Sequence, residues 1–357
     1  VAPIGIDLFN GLPGVALFLG CLAAVTGRAE FARAASETAT AFILPFASEN
    51  AFDSGAAPPV GAFAGAAGAV YALFHLGKLL QRPDLRARVP PALCVLEKLL
   101  ETDGLCDVVA GAAGCLGVAM AVFEQTDDRA EREAALRLAR RCAELLKRNA
   151  RRDADGTVAW PDSEQDAYIG YAHGAIGIAA QLARFHAVDA DAEILSLVRG
   201  ALQLVRSRYD PTLNNWHSRE RTAGTAWGWC HGAPGILLAL CIMRKAGHRD
   251  ERLEEDIRTA FEATVRHGFG HNLTVCHGDW GNLDIVRTAA EQMKWPGWPE
   301  RCRDAVDEAC RWMTRLWREG VPQERLPVGL MVGLAGCGYA ALRFLAPDLV
   351  PDVLSLA

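Results

Sequence analysis

Seven times along this chain an apolar stretch opens on two glycines three residues apart. The pairs are Gly11–Gly14, Gly65–Gly68, Gly111–Gly114, Gly174–Gly177, Gly232–Gly235, Gly278–Gly281 and Gly333–Gly336. Their starts lie 46 to 63 residues apart, a length that suits a helical-pair repeat. Most of the stretches that follow, such as Ala69–Leu80, Cys115–Phe123 and Ile236–Met243, carry little or no charge; the one after Gly281 is weaker. A helix that is apolar nearly all round has to be buried on every side. The segments after them differ: Asp128–Arg152, Asp191–Tyr209, Asp250–His267 and Pro299–Glu319 place apolar residues at three- and four-residue spacing among dense charge, as Leu136, Ala139, Ala143 and Leu146 do. These read as amphipathic surface helices. Alternating β-branched runs are almost absent. Buried helix then surface helix, seven times over, predicts an all-α chain folded as an α/α toroid of seven helical hairpins, with an inner ring sheathed by an outer one. The repeat makes residues 1–357 a single domain. Glycines at the inner helix starts are expected to let backbones crowd around the axis and to leave free N–H groups near its centre.

Composition narrows the function classes. Hydrophobic residues make up 51% of the 357, enough for a large core. A net charge of -6 and a pI near 5.9 leave no basic footprint for nucleic acid. Val1–Gly20 lacks the charged start and cleavage site of a signal peptide. Apolar runs such as Val15–Val25 are too short to span a bilayer. Eleven cysteines form no small-domain disulfide framework, and Cys115, Cys241 and Cys337 read as core residues, which favours a reducing, cytoplasmic setting. The chain starts at Val1 rather than Met, which fits a piece of a longer protein.

Three of the glycine pairs have unusual residues directly in front: Ala172-His173 before Gly174, Trp229-Cys230-His231 before Gly232, and Val275-Cys276-His277 before Gly278. If the pairs mark inner helix starts, these side chains converge at one end of the ring. Zn²⁺ prefers thiolate and imidazole ligands, and a catalytic site uses three of them with one position open. Cys230, Cys276 and His277 supply that set. His231 is either a fourth ligand, which would close the site, or a group beside the metal that contacts substrate. Asp107, four residues before Gly111, is expensive in an apolar segment unless it caps the helix or works in the site. His173 is a core histidine or an active one. Trp160, Trp216 and Trp227 sit in polar loops, where they either touch substrate or pack at the solvent edge; His217 lies in a loop that could border the mouth of the ring.

At these residues the sequence resembles the lanthionine-synthetase-C-like cyclases, and most closely the carboxy-terminal cyclase domain of class II lanthipeptide synthetases. The motifs are Asp7-Leu-Phe-Asn-Gly-Leu-Pro-Gly14, Trp229-Cys-His-Gly-Ala-Pro-Gly235, Cys276-His-Gly-Asp-Trp-Gly-Asn282 and Gly333-Leu-Ala-Gly-Cys-Gly-Tyr339. The resemblance implies zinc on Cys230, Cys276 and His277, His173 as catalytic histidine and Asp107 as the active-site aspartate; His231 and Asp279 are the candidates for touching substrate. The partners it implies are a dehydrated precursor peptide and the dehydratase domain of the same synthetase. Where stand-alone cyclases often carry Arg four residues before the first zinc cysteine, this chain has Ala226.

The implied chemistry is addition of a peptide cysteine thiolate to dehydroalanine or dehydrobutyrine, closing a (methyl)lanthionine ring. Zinc coordination would deprotonate the thiol, and His173, a side-chain type that titrates near neutrality, would move the proton. Three rivals stand beside this reading. A glycoside hydrolase on an α/α barrel needs two opposed carboxylates, for which Asp107, Asp162 and Asp279 are available. A peptide-binding scaffold would use its zinc structurally, and a glutathione-adding relative would use a separate thiol.

Overall fold

In the computed structural model, which describes residues 5–43, 46, 57–161, 166–318 and 327–357, each glycine pair lies at the start of an apolar helix. In chain order the helices are α1 (Leu12–Thr26), α2 (Ala29–Ile43), α3 (Ala67–Leu79), the short α4 (Pro83–Arg86), α5 (Val89–Thr102), α6 (Ala112–Gln125) and α7 (Arg129–Asn149). They continue as α8 (Ala175–His186), α9 (Ala192–Ser207), α10 (Ala233–Lys245), α11 (Leu253–His267), α12 (Asp279–Met293), α13 (Trp298–Arg318) and α14 (Leu334–Leu345). Two-residue strands pair as two small hairpins, β1 (Arg151–Arg152) with β2 (Val158–Ala159) and β3 (Tyr209–Asp210) with β4 (Asn215–Trp216). Helices α1, α3, α6, α8, α10, α12 and α14 pack each on the next, and α14 returns to α1. That closed ring is the α/α toroid the repeat predicts.

Local chemistry separates the two rings. Outer helices such as α7 and α9 begin on Asp128 and Asp191, whose carboxylates accept the free N–H groups of the first turn. Six inner helices begin instead on the first glycine of a pair, with no side-chain cap. Backbone carbonyls take over that role. In six of the seven loops before these helices the chain curls back so that the residue after the first glycine donates to a carbonyl seven residues earlier, as Ala112 N does to Leu105 O at 2.9 Å and Ala175 N to Tyr168 O at 2.9 Å. The second glycine is needed because a Cβ on Gly114 or Gly177 would meet the carbonyl oxygen of Val108 or Tyr171 at 1.9 Å. The glycines therefore serve a tight turn within each repeat rather than an approach of helices across the axis, and in six of the seven repeats these N–H groups are bonded.

A second pattern joins the repeats. In six of the seven repeats the residue two before the first glycine donates its N–H to the carbonyl of its equivalent in the next repeat. The links are Phe9 to Phe63 (3.0 Å), Phe63 to Val109 (3.0 Å), Val109 to Ala172 (3.1 Å), Ala172 to Cys230 (3.0 Å), Cys276 to Met331 (2.9 Å) and Met331 to Phe9 (2.9 Å). This belt of loops forms one face of the ring.

The seventh repeat departs from the expected hairpin. Among the described residues α14 is followed by no outer helix; residues 346–357 turn into the ring from the face opposite the belt. Val350, Val353, Leu354 and Leu356 are buried there. Arg184 Nη1 donates to Leu356 O (2.9 Å), Tyr339 Oη to Pro351 O (2.7 Å), Arg343 Nη1 to Val350 O (2.8 Å) and Trp229 Nε1 to Leu354 O (3.3 Å). The axis is a packed core, with Phe63, Tyr171 and Trp229 layered between this segment and the belt. On the outer helix α7, Ala139, Ala143 and Leu146 face inward as the spacing predicts, while Leu136 is only half-buried. No helix among the described residues is long and apolar enough to cross a membrane.

Candidate metal centre and active site

The belt explains how residues far apart in sequence meet. Cys230 and Cys276 occupy the same belt position in neighbouring repeats, and His277 follows the second of them. Their ligand atoms all lie within 4.8 Å of one another. Donors held about 2.3 Å from a tetrahedral ion sit roughly 3.8 Å apart, so the cluster is already close to the spacing zinc requires. Two thiols and an imidazole also match its ligand preference. Beside Cys276 the Cys230 thiol is held below the usual range although burial opposes it, while the Cys276 thiol, next to Cys230 and buried, is raised far above it. All eleven cysteines are free; Cys115 and Cys241 are buried in the core, and Cys337 is half-buried.

Asp107 holds both roles its position allowed. Its Oδ1 accepts from Ala110 N (2.6 Å) and Gly111 N (3.0 Å), capping the turn, while Oδ2 lies 2.7 Å from His173 Nδ1. A carboxylate on Nδ1 makes that nitrogen the N–H and leaves Nε2 as the free lone pair. The ring of His231 stacks on His173 at 5.4 Å and stands outside the three-donor cluster. Burial first, then His173 and Arg219, push its pKa down to about 4, and its Nδ1 has no hydrogen-bond partner.

Asp279, at the first turn of α12, accepts from Gly270 N through both oxygens (3.0 and 3.1 Å), so it holds the neighbouring loop at the rim. Trp160 is buried and donates to Leu146 O at 2.8 Å; Trp216 is buried against Tyr209. Both pack the structure. Trp227 stacks beside His267 at 4.6 Å, and His217 lies 3.5 Å from Asp210. Asp162 lies outside the described residues.

Two residues carried no sequence signal of their own. The Tyr168 ring lies 5.0 Å from His231 and 6.0 Å from His173, and the Arg219 guanidinium sits 3.9 Å over it and donates to its hydroxyl (2.5 Å). Tyr168 occupies the first position of the fourth glycine loop, so the repeat register could have placed it at the rim. Arg219 comes from the loop after β4, which has no counterpart in the repeat. A cavity of about 1210 Å³ opens at the opposite end of the ring, lined by Glu124, Arg184, Arg287, Arg343 and Asp352 among others and by none of Asp107, His173, Cys230, His231, Cys276 and His277.

The α/α toroid thus carries a cluster of two thiols and one imidazole beside a His–Asp pair. The chain belongs to the lanthionine synthetase C-like protein family, whose model matches residues 2–355. The structure of nisin cyclase superposes with a TM-score of 0.78 over 98% of this chain and 91% of that one, at 16% identity, which shows a shared fold. Glutathione S-transferase LANCL1 of Danio rerio is 25% identical over 187 residues, 51% of this chain and 44% of its own length. The match thus spans less than half of that relative.

Proposed function

We propose that this chain is a zinc-dependent lanthipeptide cyclase of the class II type, acting on a dehydrated precursor peptide made by a dehydratase domain of the same synthetase in the cytoplasm. The observation that carries the reading is the convergence of Cys230, Cys276 and His277 beside the His173–Asp107 pair. Zn²⁺ on those three ligands would supply a Lewis acid that turns a substrate thiol into thiolate at neutral pH. Two anionic sulfur ligands keep that thiolate electron-rich, which suits alkylation better than hydrolysis.

The remaining steps belong to the chain's own residues. The substrate sulfur bonds to the β-carbon of dehydroalanine or dehydrobutyrine, and the π electrons move to the α-carbon as an enolate. His173, its Nδ1–H held by Asp107, takes the thiol proton on Nε2 and returns it to the α-carbon. Nothing leaves; the reaction is a net addition. Tyr168 and His231 wall the space beside His173.

The test is to incubate the zinc-loaded chain with a dehydrated, cysteine-containing peptide and count thiols blocked by ring closure, beside a no-enzyme control. Full-rate closure with the same ring pattern by metal-free protein overturns the zinc role. The activity in the name of the Danio rerio relative favours a second reading, addition of free glutathione to the dehydro residue. Glutathione added to the same assay separates the two, because an adduct gains its mass whereas a ring does not.

A further inference from the structure

The belt has one open joint. Six of its seven links are backbone hydrogen bonds of 2.9 to 3.1 Å, but among the described residues none joins the fifth loop to the sixth, where Cys230 N would face Cys276 O. The loops do touch: a Cβ on Gly228 would meet His277 Cα at 2.6 Å. Among the described residues only the Asn282 amide, donating to Trp227 O at 2.8 Å, crosses the seam with a hydrogen bond from a side chain to the backbone. The fifth loop is also the least closed within itself. The other six bind the residue after their first glycine to a carbonyl seven residues earlier, whereas Ala226 O accepts from Asn215 Nδ2 (3.0 Å). So the one loop lacking both regular backbone bonds carries the first thiol, and the thiol it must meet lies across the one unbonded joint.

We propose that metal held by Cys230, Cys276 and His277 is the belt's seventh link, fastening the fifth loop to the sixth where backbone hydrogen bonds do not. This rests on the proposed zinc site but assigns it a mechanical role separate from thiol activation. A ring whose joints all hold needs no further clasp; one with a single open joint opens there first, because local opening follows the least-bonded segment. Metal occupancy then sets the order of the loop that carries Cys230 and His231, next to His173.

Hydrogen–deuterium exchange on the full chain, zinc-loaded and chelator-stripped, tests this without reference to turnover. Amides in 226–236 and 274–283 should exchange about tenfold faster or more after stripping, while belt amides of Phe63, Val109 and Met331 change by less than about twofold. The His173→Asn chain should show the same contrast, since the clasp does not depend on chemistry. If zinc binds one per chain and rings close, yet seam exchange does not respond to stripping, or all joints respond alike, the clasp is wrong and the cyclase reading stands. A chain that takes up no zinc overturns both.

Discussion

At the belt end of the ring, Cys230 and His173 stand half-buried and His277 exposed, with few partners, whereas the charges near the axis at the opposite end are paired. There Asp284 lies between Arg287 (2.7 Å) and Arg343 (3.3 Å), and Arg184 is bidentate to Glu124. Burial alone would raise the Asp284 pKa, but Arg343 and Arg287 outweigh it and hold the carboxyl below its usual range. Donors left open to a ligand mark where chemistry can happen, and donors closed on one another mark where the ring is anchored. The contrast also separates two sorts of polar group: those at the far end bind the segment after α14 into the axis, and those at the belt end line the site proposed for zinc.

The sharpest way to break this comparison is to remove one thiol. Cys230→Ala should lose zinc and reduce ring closure to the no-enzyme rate, with helix content by circular dichroism retained; persistence of either zinc or activity would mean the belt end is not the working end. His173→Asn should keep zinc, by metal analysis, and lower turnover about 10²- to 10⁴-fold. Asp107→Asn keeps an oxygen for the turn but loses the charge on His173, and should cost about 10- to 100-fold, the worth of one charge-assisted hydrogen bond.

At the other end the effects should appear in stability and leave zinc content unchanged. Asp284→Asn takes the shared charge from two buried guanidiniums, leaving Arg287 with Glu291 and Arg343 with backbone carbonyls, and should cost about 3 kcal/mol in denaturant unfolding. The smallest effect is a pH slope from His75, whose pKa burial pushes down to about 3 from 6.5. The unfolded imidazole takes a proton below 6.5 and the folded one refuses it until about 3, so stability present above 6.5 falls as pH drops through that window. The slope from this group is about 1.4 kcal/mol per pH unit, and His75→Phe should remove that share in unfolding curves taken at several pH values. An unchanged slope would place the acid sensitivity elsewhere.

Much of this architecture was legible because its causes are local and repeated. A glycine pair three apart marks a loop whose carbonyls sit where side chains would be, and seven such marks place seven helix starts in register. That register also puts Cys230 and Cys276 at equivalent positions, with His277 directly after the second. The physical reason for the glycines was not legible: crowding at the axis and a tight turn under the helix call for the same residue. Asp107 shows the same limit, since capping and charge support for His173 use different oxygens of one carboxylate and so never compete. Arg219 escaped because the loop that carries it has no repeat to compare with.

By itself the sequence determined the modules: which segments are helical, which are buried all round, and where each begins, since hydrogen bonds spanning seven residues and the apolar pattern of one helix are local matters. Only the tertiary structure decided how those modules meet. Closing seven of them into a ring brings Met331 back to Phe9, draws the segment after α14 into the axis in place of a seventh outer helix, and leaves one joint unbonded at the two thiols. Those outcomes depend on angles accumulated over the whole circuit, and no single repeat encodes them.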